Sequence, residues 1–309
     1  KVGQSLLNLE KSLFIKLEIL RIMSSRESVD LSELAGELGL YEWELVELVN
    51  ELKNNYMIVQ DKSRVLWFAG DNPSRIKPWG WNYSYKLITG STMIRAKYSP
   101  VWSIIVSEWQ YGGYGRHGRT WISNLGGLWM TLKLEVSPRT AQILPMIVPI
   151  VICRFLQEKL GVKARIKWPN DIIVRNRKLS GFLIEGEVLL SKVIAYLGIG
   201  INVNNEPPLE TATSLKYILN KLVPRNSIIA YIAGTLNKVE GLGEYTQKVQ
   251  MEYLELLETL GLRVKVVTRS GTYIGIAKSV TENGDLLVET GSGSYRFSSG
   301  EVLELRHIE

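Results

Sequence analysis

Between residues 164 and 203 four strand-like runs follow one another, ARIKW, DIIVRN, LSGFLIEGEVLL and KVIAYLGIGINV, with only short connections between them. No room is left for the crossover helices of a doubly wound parallel sheet, so this part of the chain reads as an α+β sheet. VWSIIVSEW and GLWMTLKLEV add two strand-like runs before it. Helical periodicity marks AQILPMIVPIVICRFLQEKLG and the long stretch from NSIIAYIAGTL to LELLETLG. The middle of the chain, residues 71–260, is expected to be one mixed unit, and DNPSRIKPWGWNYS at its start reads as a linker or irregular entry.

The chain has 309 residues, more than one compact domain usually needs, so two or three units are expected. Residues 1–70 read as the first. In SLFIKLEILRIMSS the leucines and isoleucines recur at helical spacing, Asp30 caps LSELAGELGL, and Gly39 closes it. EWELVELVNELKN makes a third helix, and YMIVQ with RVLWFA makes a hairpin. Three helices and a hairpin describe a winged helix-turn-helix. Its third helix, however, offers Glu42, Glu44, Glu47 and Glu51 where a DNA reader needs basic or amide side chains. Arg26, Lys62 and Arg64 keep DNA open as a partner, beside a purely structural use of the fold. After Gly261 the pattern changes to short strands broken by RSG, ENGD and GSGS, which predicts a small β-barrel over 261–309 packed on its neighbour.

Composition narrows the function classes only slightly. No apolar run is read as reaching the roughly 20 residues of a membrane span, and no signal peptide is seen, so no membrane partner is expected. The lone Cys153 excludes an internal disulfide, lies in an apolar helical run and reads as a buried core thiol; a cytoplasmic protein is expected. A net charge of +6 biases the chain toward anionic partners without choosing among them.

The sharper signal is EWQYGGYGRHGRTW at 108–121. Gly113, Gly115 and Gly118 satisfy G-x-G-x-x-G, and Gly113 to Thr120 miss the P-loop pattern only where Arg119 replaces lysine. Both phosphate-binding loops must open a helix, whose N-terminus holds the anion. Here RTWISNLGG leads directly into a strand pattern, so both readings fail. What is left is a glycine loop between two strands that carries Arg116 and Arg119, able to hold phosphate or carboxylate, and Trp121, able to stack on a purine or to serve as a core residue.

At this point the sequence resembles the biotin protein ligases. GYGRHGRTW is similar to their GRGRxGRxW loop, KWPNDIIVRNRKLSGFLIEGE to their KWPND, RKLAG and ILVE segments, and LGIGINVN to their G-x-G-I-N-V strand. The closing SGEVLELR resembles their small C-terminal, SH3-like barrel, and the N-terminal unit gives the layout of the ligase-repressor class. The resemblance implies activation of biotin by ATP to biotinyl-5'-AMP, then transfer to a lysine of a biotin carboxyl carrier protein domain, in a homodimeric enzyme, with biotin-responsive repression of transcription as a further expectation. It implies Lys178, Arg116 and Asp171 as catalytic residues. Ser91, Thr92, Gln110, Gly113 and Gly115, with Arg116 and Lys178, would bind biotin. Arg119, Trp121, Asn170 and Asn202, again with Arg116 and Lys178, would bind ATP and the adenylate. Magnesium is expected to arrive on the ATP phosphates, since no dedicated metal cluster exists, and the flexible loop is expected to order over the intermediate and keep water out.

Two residues depart from the family pattern. Met93 follows Ser91-Thr92 where the family has asparagine, and Tyr114 replaces the first arginine of GRGR, so biotin or adenylate retention is expected to be weaker. A lipoate or octanoate ligase and a ligand-sensing transcription factor without catalysis are the alternatives.

Overall fold

The helical spacing after residue 12 belongs to α1 (Val2–Ser25), which leads through β1 (Val29–Asp30) into α2 (Leu31–Leu38) and α3 (Glu42–Leu52). The computed structural model describes residues 2–308, with side chains from Glu10 onward; residues 1 and 309, at the ends of the expected outer units, lie outside the described residues. As expected, Asp30 caps α2 by accepting the backbone N–H groups of Ser32 and Glu33, and Gly39 ends it at φ 64°, the left-handed conformation that favours glycine. The hairpin of β2 (Ile58–Asp61) and β3 (Arg64–Trp67) follows, and β3 also pairs with β1, a strand too short to be seen in the sequence. Leu20, Met23, Leu34, Leu45, Val49 and Leu52 bury a core of their own, against which Leu87 and Leu125 of the next unit also pack.

The stretch from residue 71 is not a loose linker. Asp71 and Asn72 are fully buried, and β4 (Asn82–Thr89) starts within the segment expected to be irregular. Burial outweighs the turn-rich composition here because Asp71 has ionic and hydrogen-bonding partners waiting for it. α4 (Thr92–Lys97) then carries the chain across to β5 (Ser103–Gln110), parallel to β4. β6 (Leu128–Val136), β7 (Arg165–Lys167), β8 (Asp171–Val174), β9 (Arg177–Leu189) and β10 (Lys192–Ile201) complete a mixed sheet ordered β4-β5-β6-β10-β9-β8-β7. Every other neighbour pair is antiparallel, as the close strand spacing requires.

α5 (Pro138–Leu160) lies on this sheet. Contrary to the reading of its composition, it is long and apolar enough to cross a membrane, yet 72% of its most apolar window is buried inside the protein. It is therefore used as the central core helix. Cys153 sits in its buried face, and burial pushes the thiol up to about 12, which suits an inert core residue. The helical run expected after residue 225 is divided into α7 (Arg225–Leu236), α8 (Val239–Gly243) and α9 (Thr246–Leu256), preceded by the short α6 (Leu215–Leu219). One break falls just after Gly243, where a Cβ would lie 2.2 Å from Thr140 Oγ1, so the end of α8 packs closely on α5.

β11 (Arg263–Thr268), β12 (Gly271–Val280), β13 (Leu286–Thr290), β14 (Gly293–Phe297) and β15 (Val302–His307) form an antiparallel sheet ordered β14-β13-β12-β11-β15. Val264, Val266, Leu286, Val288 and Leu305 share one apolar cluster with α5 and the large sheet, so this unit packs on its neighbour as expected. Trp168 reinforces the join by donating from its indole to Gly284 O at 2.9 Å.

The first unit is fastened differently, by buried charge. Arg225, at the start of α7, is 1% exposed and spends its donors on Asp71, Glu108 and the carbonyls of Asp71 and Gly127 at 2.9–3.0 Å. Tyr56 and Tyr85 donate to Glu108, Trp67 donates to Asp71, and the rings of Tyr56 and Trp67 lie against the guanidinium. Although burial opposes its charge, the Glu108 and Asp71 carboxylates hold Arg225 ionised well above the usual arginine range.

Candidate active site

β9 and β10 carry glycines where a wall must be thin. A Cβ on Gly200 would lie 2.4 Å from the ring of Trp121, one on Gly181 2.9 Å from it, and one on Gly198 2.8 Å from Met93 Sδ. The sheet is thus left bare so that Trp121 and Met93 can lie against it. Above that floor opens a cavity of about 350 Å³, within the range of small-molecule sites. Gly200→Ala is expected to displace Trp121 and cost about 1–3 kcal/mol of stability as an overpacked site. Urea unfolding followed by tryptophan fluorescence would check it, and an unchanged midpoint with unchanged emission would contradict this packing.

Most residues implied by the sequence meet here. Ser91, Thr92, Gln110, Gly115, Arg116, Arg119, Trp121, Asn170, Asp171, Lys178 and Asn202 all line the cavity. Gly113 does not; it is the buried base of the loop, where a Cβ would lie 2.7 Å from Trp121 O, and it accepts the Trp121 N–H at 2.9 Å. At one end, Gln110 is held by Thr92 N, which donates to its carbonyl at 2.8 Å, and by Ser123 Oγ, which accepts from its amide at 2.9 Å. Thr131 Oγ1 donates to Thr92 Oγ1 at 2.8 Å, so this end is a fixed polar set at the start of α4.

At the other end, Lys178 Nζ pairs with Asp171 Oδ1 at 2.7 Å and lies 5.1 Å from the centroid of the Trp121 ring. β8 and β9 are adjacent, and this register sets the two side chains together. Asn170 is tied to Phe182 through its backbone carbonyl and its amide, and its Oδ1 accepts from Arg116 Nη1 at 3.3 Å. Trp121 Nε1 is buried and has no partner. A cation, a carboxylate, an amide and a large aromatic face therefore surround one space, a set able to hold a carboxylate or phosphate beside a planar ring.

The glycine loop is more ordered than its composition suggests. Its arms form a narrow hairpin in which Tyr114 pairs with Thr120, Gly115 N donates to Arg119 O at 2.8 Å, and Trp121 N closes on Gly113 O. Its tip rests on the C-terminal unit. Arg116 Nη2 donates to Ser299 O and Val302 O, His117 Nε2 meets Val302 O at 2.9 Å, and Arg119 Nη2 donates to Leu303 O at 2.8 Å. Burial lowers the Arg116 pKa, offset in part by Asp171.

Several lining residues were not singled out in the sequence. Met130, Phe182, Leu183 and Ile199 give the apolar wall, Pro208, Leu209 and Ala212 come from the segment after β10, and Leu303 from β15. The first group was legible only as strand residues, and the others carry no local signal because distant parts of the chain supply them.

The comparisons with known proteins agree with this architecture. Residues 91–204 match the Biotin/lipoate A/B protein ligase family. The chain is 27% identical over 216 residues to the bifunctional ligase/repressor BirA of Bacillus subtilis, covering 66% of each chain. It is 30% identical over 219 residues to BirA of Salmonella typhimurium, covering 66% of this chain and 67% of that one, so the match spans about two thirds of these relatives. Among solved structures it resembles the biotin protein ligase from Aquifex aeolicus in complex with biotin and ATP, with a TM-score of 0.61 and 28% identity over 74% of this chain and 99% of that one. With its loop, its KWPND and RKLSG strands and its mixed sheet meeting around one cavity, the chain belongs to the biotin protein ligase family.

Proposed function

We propose that the chain activates biotin with ATP and transfers it to a lysine of a biotin carboxyl carrier protein domain. The Lys178–Asp171 pair beside Trp121 carries this reading, and the Aquifex relative, whose structure holds biotin and ATP, supports it. In the first step a biotin carboxylate oxygen attacks the α-phosphorus, the bond to the β-phosphate breaks and pyrophosphate leaves. In the second the lysine amine attacks the biotinyl carbonyl, the bond to AMP breaks, and the amine loses a proton, for which Asp171 is the carboxylate at hand.

Both steps pass through added negative charge, so fixed cations are worth most in the transition state. Lys178 serves the carboxylate and α-phosphate, with Arg116 and Arg119 at the loop. Ser91, Thr92 and Gln110 face the ureido ring of biotin, while Trp121, Asn170 and Asn202 face adenine. Asp171 is the only carboxylate among the described residues lining the cavity, and no described group of three His, Cys, Asp or Glu could hold a bare ion. Asp171 would be the residue here to help hold a magnesium ion carried on the ATP phosphates, and such an ion would supply neutralisation of phosphate charge.

Incubation with ATP, Mg²⁺, biotin and a carrier domain is expected to biotinylate the carrier; no product would sink the reading. Calorimetry with biotin and with lipoate separates it from a lipoate or octanoate ligase. Arg116→Gly is expected to release the adenylate about tenfold faster or more, since it removes charge-assisted bonds at the loop. Retention equal to wild type in a filter-binding chase would contradict a lid role for Arg116.

In the same reading residues 1–70 are a winged helix-turn-helix, 71–260 the catalytic unit and 261–309 an SH3-like barrel, in a cytoplasmic homodimer. Repression of transcription is a second reading, favoured by the bifunctional names of the relatives and by the three helices with a hairpin. Against it, α3 exposes Glu42, Trp43, Glu47 and Glu51, and Arg26 is already paired with Glu33 and Glu37. A gel shift at low salt with the protein's own promoter decides between them: no retarded band removes repression.

A further inference from the structure

Tyr114 stands where the family pattern has an arginine, and it is held by a hydrogen bond and by apolar packing. Its hydroxyl donates to Glu185 Oε1 at 3.2 Å, and Glu185 Oε2 pairs with Lys97 Nζ at 3.0 Å. Its ring packs against the apolar cluster of Met93, Ala96, Ile105, Ile194 and Tyr196. Burial, followed by the nearby Glu185 carboxylate, raises the phenol pKa, so the hydroxyl remains a donor. Glu185 belongs to β9, the strand that carries Lys178, and Lys97 ends α4, whose first residues line the cavity. The hydroxyl thereby ties the loop to β9, and Glu185 in turn links β9 to α4.

We infer that Tyr114 is a positioning residue that anchors the glycine loop over the cavity through Glu185, a fixed attachment where the family pattern has a charge. The backbone supports this, because Tyr114 pairs with Thr120 at the neck of the hairpin that delivers Arg116 and Trp121. The far end of the same hairpin rests on carbonyls of the C-terminal unit. A loop held at its neck and its tip gives up little freedom when ligand arrives, so retention of the intermediate survives the loss of one arginine. Met93 completes the exchange. Where the family pattern has a polar asparagine, this chain has the apolar surface on which the tyrosine ring rests.

The inference rests on the ligase reading for its consequence but not for its test. Arg116 and Arg119 are tryptic sites within the anchored segment. Limited trypsin digestion of the full chain without ligand is expected to cut there slowly, about fivefold faster in Tyr114→Phe and Glu185→Gln, and faster again in Tyr114→Ala. Melting temperatures within about 2 °C of wild type would show that the loop alone was released. With ATP and biotin, Tyr114→Phe is expected to release adenylate about fivefold to tenfold faster, and a release rate equal to wild type would overturn its part in retention. Equal cutting of all four proteins overturns the anchor. If wild type forms no adenylate while the tryptic ranking holds, the ligase reading fails and the anchor stands.

Discussion

Lys178→Ala is expected to slow adenylate formation by about 10²–10³-fold, the usual loss when one preorganised donor to a transition-state charge is removed. The fold should survive. The side chains of Asp171 and Lys178 are 25% and 37% exposed, and such partly solvated pairs contribute at most about 1 kcal/mol. Two effects of different size are thus assigned to one side chain, about 3–4 kcal/mol in the barrier and less than about 1 kcal/mol in stability. Single-turnover formation of adenylate, measured beside thermal unfolding, separates them. A wild-type rate would refute the role of Lys178, and a collapse of stability would show that the pair is structural. Asp171→Asn is expected to keep the neighbouring polar contact but lose the charge partner, so it should fall between wild type and Lys178→Ala in rate.

Arg225→Met is expected to destabilise the protein by about 3–5 kcal/mol, the largest stability effect of any single change proposed here. The reason is what it leaves behind. Asp71 and Glu108 are both fully buried, and without the guanidinium two carboxylates would share a dry space with no cation. Relative to a total stability of about 5–15 kcal/mol, such a loss moves the unfolding midpoint visibly. Adding Glu108→Gln to Arg225→Met should recover part of it, because a neutral amide needs no counter-ion. Urea titrations of the single and double variants check both statements. A loss below about 1 kcal/mol, or no recovery in the double variant, would show that the network does not fasten the first unit to the sheet. The same variants should loosen Tyr56 and Trp67, whose rings lie against Arg225, so the first unit should become the earliest part to exchange amide protons.

Local structure was legible wherever local physics decides it. Asp30 and Gly39 bound α2 as their side-chain chemistry dictates, and the crowded strands from 164 to 203 pair antiparallel because no crossover fits between them. The loop after Gly118 makes only a short turn before β6, as its sequence required. β4 was missed because its first residues, Asn82 to Ser84, fall in the turn-rich stretch read as a linker, and α7, α8 and α9 were read as one helical stretch because the breaks between them are short and contain no proline. The cation–carboxylate pair of the site was visible as residues but not as a contact. Lys178 and Asp171 meet through the β8–β9 register, which includes an irregularity that spacing alone does not reveal.

The sequence by itself determined the class of the sheet, the caps of α2, the family, and eleven of the residues that line the cavity, because each depends on neighbours along the chain or on a motif held in one segment. Only the tertiary structure decided that Arg225, at a helix start where a basic residue reads as solvent-facing, would be buried between two carboxylates from residues 71 and 108. Nor could sequence place the loop's arginines on the carbonyls of residues 299–303, or tie Tyr114 to Glu185. Arg225 meets carboxylates more than a hundred residues away because packing of the first unit on the large sheet excludes water around it, and desolvation then selects which polar groups must pair.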